Sequence, residues 1–147
     1  MQISFPSYSF RIKKSGERQF IFDIIRKKFV ALTPEEWVRQ HWIHYLITEK
    51  KFPRSLMSVE KQLKVNQLSK RCDIVIYNSG GVPVMIVECK SADVILSQKT
   101  FDQIARYNLS LKVKYLVVSN GSQTYCCEVD FESGTYYFLE EIPSAEK

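Results

Sequence analysis

Asp73, Glu88 and Lys90 are the residues of this chain whose types and spacing best suit bond-breaking chemistry. They flank two apolar runs separated by Asn78-Ser79-Gly80-Gly81, within Arg71-Cys72-Asp73-Ile74-Val75-Ile76-Tyr77 and Val82-Pro83-Val84-Met85-Ile86-Val87-Glu88-Cys89-Lys90. Branched and aromatic residues on both sides of a Gly-containing turn predict a β-hairpin. A two-residue Gly80-Gly81 loop would set Ser79 opposite Val82, Tyr77 opposite Val84, Val75 opposite Ile86 and Asp73 opposite Glu88. Facing residues in an antiparallel pair sit about 4.5–5.5 Å apart. Two carboxylates so placed repel and need compensation. A divalent cation would supply it, and so would the Lys90 ammonium. Two hard oxygen donors suit Mg²⁺, which keeps several waters that a phosphate can replace. A lysine beside them could orient an attacking water or stabilise developing negative charge.

Asp73 followed by Glu88-Cys89-Lys90 resembles the signature of the PD-(D/E)xK nuclease superfamily. From about Thr33 to Glu128 the chain resembles the N-terminal nuclease-like domain of type I restriction enzyme R subunits. The matching pieces are Pro34-Glu35-Glu36-Trp37-Val38-Arg39-Gln40, Arg71-Cys72-Asp73-Ile74-Val75, Val87-Glu88-Cys89-Lys90, and Gln103 with Tyr107. The chain departs from the superfamily name at Cys72, where that name has proline. The resemblance implies a Mg²⁺- or Mn²⁺-dependent endonuclease hydrolysing phosphodiester bonds in DNA, related to restriction and defence. It implies Asp73, Glu88 and Lys90 as catalytic residues. Asp73, Glu88 and the Cys89 main-chain carbonyl would be the metal ligands. Glu36, Gln103 and Tyr107 would support the site, with Arg39, Arg71 and Lys99 as candidate nucleic-acid contacts. The implied partners are DNA and a motor or other restriction-system subunits; no GxxxxGK[ST] nucleotide loop occurs in this sequence. A non-catalytic nucleic-acid-binding or protein-interaction module on the same fold is the alternative.

These residues need elements to hold them. Thr33-Pro34-Glu35-Glu36 predicts a helix start, with Thr33 as N-cap, Pro34 at the first turn and Glu36 completing a capping box. That helix is expected to run to about Lys50 with Trp37, Val38, His41, Trp42, Tyr45 and Leu46 on its apolar face. His41 and His44 lie one turn apart, a spacing that serves packing as readily as a metal. Leu56–Val65 reads as a strand in which Glu60 is either exposed or a further acid beside the site, and 66–70 reads as a polar turn. The almost wholly apolar Val82–Cys89 predicts a central strand covered on both faces. Ser97 caps a second helix with Phe101, Ile104, Ala105, Asn108 and Leu109 inward, and Lys99, Gln103 and Tyr107 along one stripe. Tyr115–Ser119 is expected to run parallel to Val82–Cys89, followed by hairpins through Asn120-Gly121 and Glu132-Ser133-Gly134.

Upstream, Met1–Ile12 and Gln19–Val30 predict two strands joined by a Lys13–Glu17 turn. Arg11, Lys13, Lys14, Arg18, Arg26, Lys27 and Lys28 make this the densest positive region, either a solvated face or a surface for DNA or a partner. The expected architecture is α/β: a restriction-endonuclease-like mixed sheet flanked by helices, with an extra N-terminal β-hairpin. It divides one domain, 1–147, into N-terminal strands (1–32), a nuclease-like core (33–131), and a C-terminal strand and tail (132–147).

The net charge of +5 permits phosphate contacts without demanding them. A 45% hydrophobic composition and 13% aromatic content argue against disorder. The four cysteines form no CxxC pair, which fits small buried hydrophobes in a reducing, cytoplasmic setting. No charged start and apolar run marks a signal peptide, and no stretch approaches the roughly 20 apolar residues of a membrane span.

Overall fold

In a computed structural model that describes residues 1–145, the chain forms two sheets and two α-helices. The larger sheet holds six strands: β4 (Met57–Val65), β5 (Leu68–Tyr77), β6 (Pro83–Cys89), β7 (Tyr115–Ser119), β8 (Thr124–Asp130) and β9 (Thr135–Phe138), in that spatial order. All neighbours are antiparallel except β6 and β7, which are parallel with Val87 opposite Val117. That exception follows from the intervening helix, because a parallel step needs a long crossover.

Helix α1 (Pro34–Thr48) covers one face through Val38, Trp42 and Leu46 against Ile74, Ile76, Met85, Val87 and Cys89. Helix α2 (Gln98–Leu109) covers the other through Phe101 and Ala105 against Val75, Ile86, Leu116 and Val118. Alternation along β6 thus feeds both layers, as its apolar run predicts. Both predicted helix caps form: the Thr33 side chain accepts from the Glu36 N–H and the Ser97 side chain from the Thr100 N–H. The cysteines are buried and unpaired. Cys126 and Cys127 are adjacent yet join opposite faces of the sheet, which keeps their thiols apart.

Three local expectations are corrected. The N-terminal strands number three: β1 (Ile12–Ser15), β2 (Arg18–Asp23) and β3 (Lys28–Ala31) form a separate antiparallel sheet in the order β1-β2-β3. Strand β1 takes the place of most of the expected turn, and residues 1–11 form no strand. The Asp23 carboxylate accepts the Ile25 and Arg26 N–H groups and turns the chain, with Lys27 at φ 56°, so Gln19–Val30 cannot run as one strand. The polar stretch 66–70 is mostly strand. Val65 pairs with Leu68 across a two-residue turn, where Asn66 takes the left-handed conformation at φ 57°. Around the Gly-Gly loop, Tyr77 pairs with Pro83 rather than Val84, with a register shift at Ile76/Tyr77. There the Asn78 side chain accepts the Gly80 and Val82 N–H groups and closes a longer loop.

The C-terminal tail, whose polar Ser144–Lys147 end reads as frayed from sequence, is tied down as far as the structure describes it: the Ala145 N–H donates to Lys50 O at 2.8 Å. Its last two residues, 146–147, lie outside the described residues. No helix among the described residues is long and apolar enough to cross a membrane.

Candidate active site at the open end of the central hairpin

The β5–β6 register places Val75 opposite Ile86 and Ile74 opposite Val87, as the alternation requires. One step further the ladder changes character. The Cys89 N–H donates at 2.8 Å to Oδ2 of Asp73 instead of to a main-chain carbonyl. That bond pins the Asp73 carboxylate against the end of β6. The Lys90 N–H donates to Ser119 O at 2.8 Å, which holds the end of the strand beside β7.

The Lys90 charge bears on both Asp73 and Glu88, and the Asp73 charge bears on Glu88. Burial pushes the Asp73 carboxyl above its ordinary range; the Cys89 N–H, Arg39 and Lys90 only partly offset it. Burial also raises Glu88, with Lys70 and Lys90 opposing and the Asp73 charge adding to the rise. Both acids are therefore short of positive charge for their degree of burial.

Two cations draw the carboxylates toward opposite layers. Arg39, on α1, sets Nη2 3.4 Å from Asp73 Oδ1 with its own side chain only 5% exposed. Lys70, on β5, sets Nζ 2.6 Å from Glu88 Oε1. The same ammonium lies 3.4 Å from Asn108 Oδ1 and 5.2 Å from the centre of the Tyr107 ring, both on α2. Tyr107 is thus joined to the site through Lys70, a residue expected in a turn and found in a strand. Gln103 and Lys99, on the same helix, are exposed.

Arg39 is also the hub of a second network. Its guanidinium lies 2.9 Å from Glu60, 3.4 Å from Glu35 and 3.5 Å from Glu36. Glu36 fulfils half of the expected capping box. Its N–H meets Thr33, but its carboxylate accepts from Arg26 at 2.8 Å and from Gln40 at 3.1 Å rather than folding back on the cap. Glu60 lies on β4 between positions paired with Ile74 and Cys72, and it holds φ 56°. A left-handed non-glycine residue costs on the order of 1–3 kcal/mol and tends to cluster at functional sites. Its carboxylate pairs with Arg39 and with Arg71, whose side chain is 70% exposed. His41 and His44 pack instead: His41 lies against Phe5, Phe10 and Trp37, and His44 against Tyr8 and Phe10.

Among the described residues no group of three or more His, Cys, Asp or Glu side chains converges to hold a metal. The oxygen donors at the hairpin end are the two carboxylates of Asp73 and Glu88. That set fits Mg²⁺ or Mn²⁺, which commonly takes one or two carboxylates and completes its shell with water. The geometry favours the fit, since the Cys89 N–H holds Asp73 against the strand that carries Glu88, and the raised carboxyls accord with a site that a cation would stabilise.

A family model described as the type I restriction enzyme R protein N terminus matches residues 34–143. No curated protein matches the chain. A solved structure described as a fragment of an HsdR subunit of a type I restriction enzyme from Vibrio vulnificus YJ016 aligns with a TM-score of 0.46 and 18% identity. The aligned part covers 69% of this chain and 22% of that one.

Proposed function

Because this chain belongs to the family of type I restriction enzyme R protein N termini, we propose that it is a metal-dependent nuclease domain that hydrolyses phosphodiester bonds in DNA alongside other restriction-system subunits. The observation that carries the reading is geometric: the Cys89 N–H holds the Asp73 carboxylate against the end of the strand that carries Glu88, with Lys90 next in the chain. Asp73, Glu88 and the Cys89 carbonyl would hold Mg²⁺ or Mn²⁺. When bound, that ion polarises phosphoryl oxygens and makes water more acidic.

The chain's own residues do the rest. The Cys89 N–H fixes Asp73 in rotation, and Arg39 holds its other oxygen. Lys70 holds Glu88. Lys90, at the strand end, orients the attacking water and stabilises negative charge that develops on the phosphoryl oxygens. Glu36 supports the site indirectly by fixing Arg39. Tyr107 supports it by flanking Lys70, Gln103 would support it from the same helix, and the exposed Lys99 and Arg71 would contact the nucleic acid.

A second reading draws on the same salt bridges. Arg39 and Lys70 already give each carboxylate a protein cation, an arrangement that suits a non-catalytic module. The experiment that separates them incubates wild type and Lys90→Ala with linear, circular and single-stranded DNA in Mg²⁺, Mn²⁺ or EDTA. Metal-dependent cutting by wild type, lost in the variant, supports the nuclease. Absence of cutting together with no rise in melting temperature on adding Mn²⁺ supports the non-catalytic module.

A further inference from the structure

The positive charge of this chain is concentrated outside the region matched to the family. Residues 1–32 hold seven of the 21 Lys and Arg but only two of the 16 Asp and Glu, which leaves 14 of each in the remainder. The whole net charge of +5 therefore resides in the segment that builds β1, β2 and β3.

That sheet has two unlike faces. Ile21 and Asp23 on β2 are fully buried, so odd positions of this strand face the body of the protein. Phe20 and Phe22 alternate with them and face away. Cross-strand pairing extends this outer face: Lys13 lies opposite Phe20, and Phe29 lies opposite Phe22. The Phe22 N–H donates to Arg11 O, which brings Arg11 alongside. The cations lie over the rings. Arg11 is 4.6 Å from the Phe22 centroid, Lys13 is 4.3 Å from Phe29, and Arg18 is 5.8 Å from Phe20. These three cations are exposed, and the three rings are half-buried.

We propose that this outer face, Phe20, Phe22 and Phe29 with Arg11, Lys13 and Arg18, is a binding surface for single-stranded nucleic acid. A sheet face carrying aromatic rings interleaved with exposed cations offers the two things a single strand needs: faces on which bases stack, and charges that meet phosphates. A purely electrostatic surface would not need the rings, and a packing face would not place three exposed cations over them. The surface is also mechanically tied to the candidate active site. Arg26, in the β2–β3 turn, lies 2.8 Å from Glu36; Glu36 lies 3.5 Å from Arg39, and Arg39 lies 3.4 Å from Asp73. A strand held on the sheet would thus be held at a fixed position relative to Asp73. The inference stands independently of cleavage, because binding needs neither the metal nor Lys90.

The test is fluorescence anisotropy with the full chain in EDTA, using labelled oligo-dT of about 20 nucleotides and a duplex of the same length. Wild type is expected to bind the single strand more tightly than the duplex. The triple variant Arg11→Gln/Lys13→Gln/Arg18→Gln is expected to bind more weakly and to lower the log–log salt slope by about 2, at roughly 0.7 for each phosphate no longer neutralised. Phe22→Leu is expected to weaken single-strand binding about tenfold while leaving the salt slope unchanged, as removal of one stacking platform would. Unchanged melting temperature of the triple variant, whose substitutions are all exposed, separates weakened binding from failed folding. Binding unaffected by the triple variant, binding equally tight to duplex and insensitive to Phe22→Leu, or no binding at all would overturn the proposal. So would a preference for anionic phospholipid vesicles over the oligonucleotide. Loss of cutting in Lys90→Ala with these affinities intact would leave both readings standing. Intact affinities with no cutting by wild type would remove only the nuclease.

Discussion

Asp23 and Asp73 are both strand aspartates beside the same helix, each with an arginine at hand, yet their surroundings treat them oppositely. Asp23 is fully buried. Burial works to raise its pKa, but the Arg26 main-chain N–H, the Arg26 guanidinium and the Gln40 amide outweigh it, and the carboxyl lies below its ordinary 3.8. Each Asp23 oxygen is met at 2.7–2.9 Å by donors of the chain itself. Asp73 has one strong donor, the Cys89 N–H, and a guanidinium at 3.4 Å, and burial wins. Glu88 behaves like Asp73. A buried acid that the fold fully satisfies is a structural part. The half-buried Asp73 and buried Glu88, left partly unsatisfied at the open end of a hairpin, are where the proposed cation would be stabilised.

The comparison breaks first on stability. Asp23→Ala strips a buried, multiply bonded charge from Arg26, and unfolding free energy should fall by about 3–5 kcal/mol, measured by urea titration. Asp73→Asn keeps an acceptor for the Cys89 N–H and removes a poorly compensated charge. Its stability at neutral pH should stay within about 1 kcal/mol of wild type or rise. A loss for Asp73→Asn as large as that for Asp23→Ala would erase the distinction.

Next is Arg39, whose guanidinium faces four carboxylates. Lysine cannot reproduce the fork, so Arg39→Lys should cost roughly 1.5–3 kcal/mol, the range of hydrogen bonds to charged groups. Differential scanning calorimetry checks it; a neutral result would mean the network is a loose surface cluster.

The pH dependence sharpens the contrast, because the two sites have opposite signs. Asp23 is lowered in the folded state, so its contribution is present above 3.8 and is lost as pH falls through its folded value. Asp73 and Glu88 are raised above 3.8 and 4.5, so the folded state keeps their protons longer. Their contribution is greatest below those values and is lost as pH rises through them toward the folded values. Subtracting the Asp73→Asn stability curve from that of wild type across acidic to neutral pH should give a difference that falls with rising pH. A difference that climbs instead would mean that Asp73 is well compensated.

The smallest effect expected is at Lys70, whose ammonium competes with any added cation for Glu88 Oε1. Lys70→Met should tighten Mn²⁺ binding up to about tenfold, the equivalent of one pKa unit of interaction. Weaker Mn²⁺ binding in that variant would make Lys70 a support of the metal-ready geometry and not its competitor.

Much of the framework was legible in the chain because apolar alternation and caps are local signals. The Val75–Ile86 register, the parallel β6–β7 step and the Thr33 and Ser97 caps all follow from such patterns. What was not legible depends on side chains that replace backbone partners. Asn78 lengthens the loop by accepting two N–H groups. Asp23 breaks a long apolar run by the same device; the Asp-Ile-Ile-Arg spacing within a basic stretch was the available hint. Lys70 was missed because Asn66 makes a turn of two residues, which puts Lys70 two positions inside a strand and aims it at Glu88. The convergence of Arg39 on Glu60 and Asp73 is tertiary, since the residues lie on three elements and no spacing in sequence announces it.

The most direct measurement is calorimetric titration of Mn²⁺ into wild type, Glu88→Gln and Asp23→Asn, the last confirmed folded by circular dichroism. A single site in wild type and Asp23→Asn that is absent from Glu88→Gln is the predicted result. Equal binding in all three, or no binding in wild type, would contradict the assignment of Asp73 and Glu88 as the metal-holding pair.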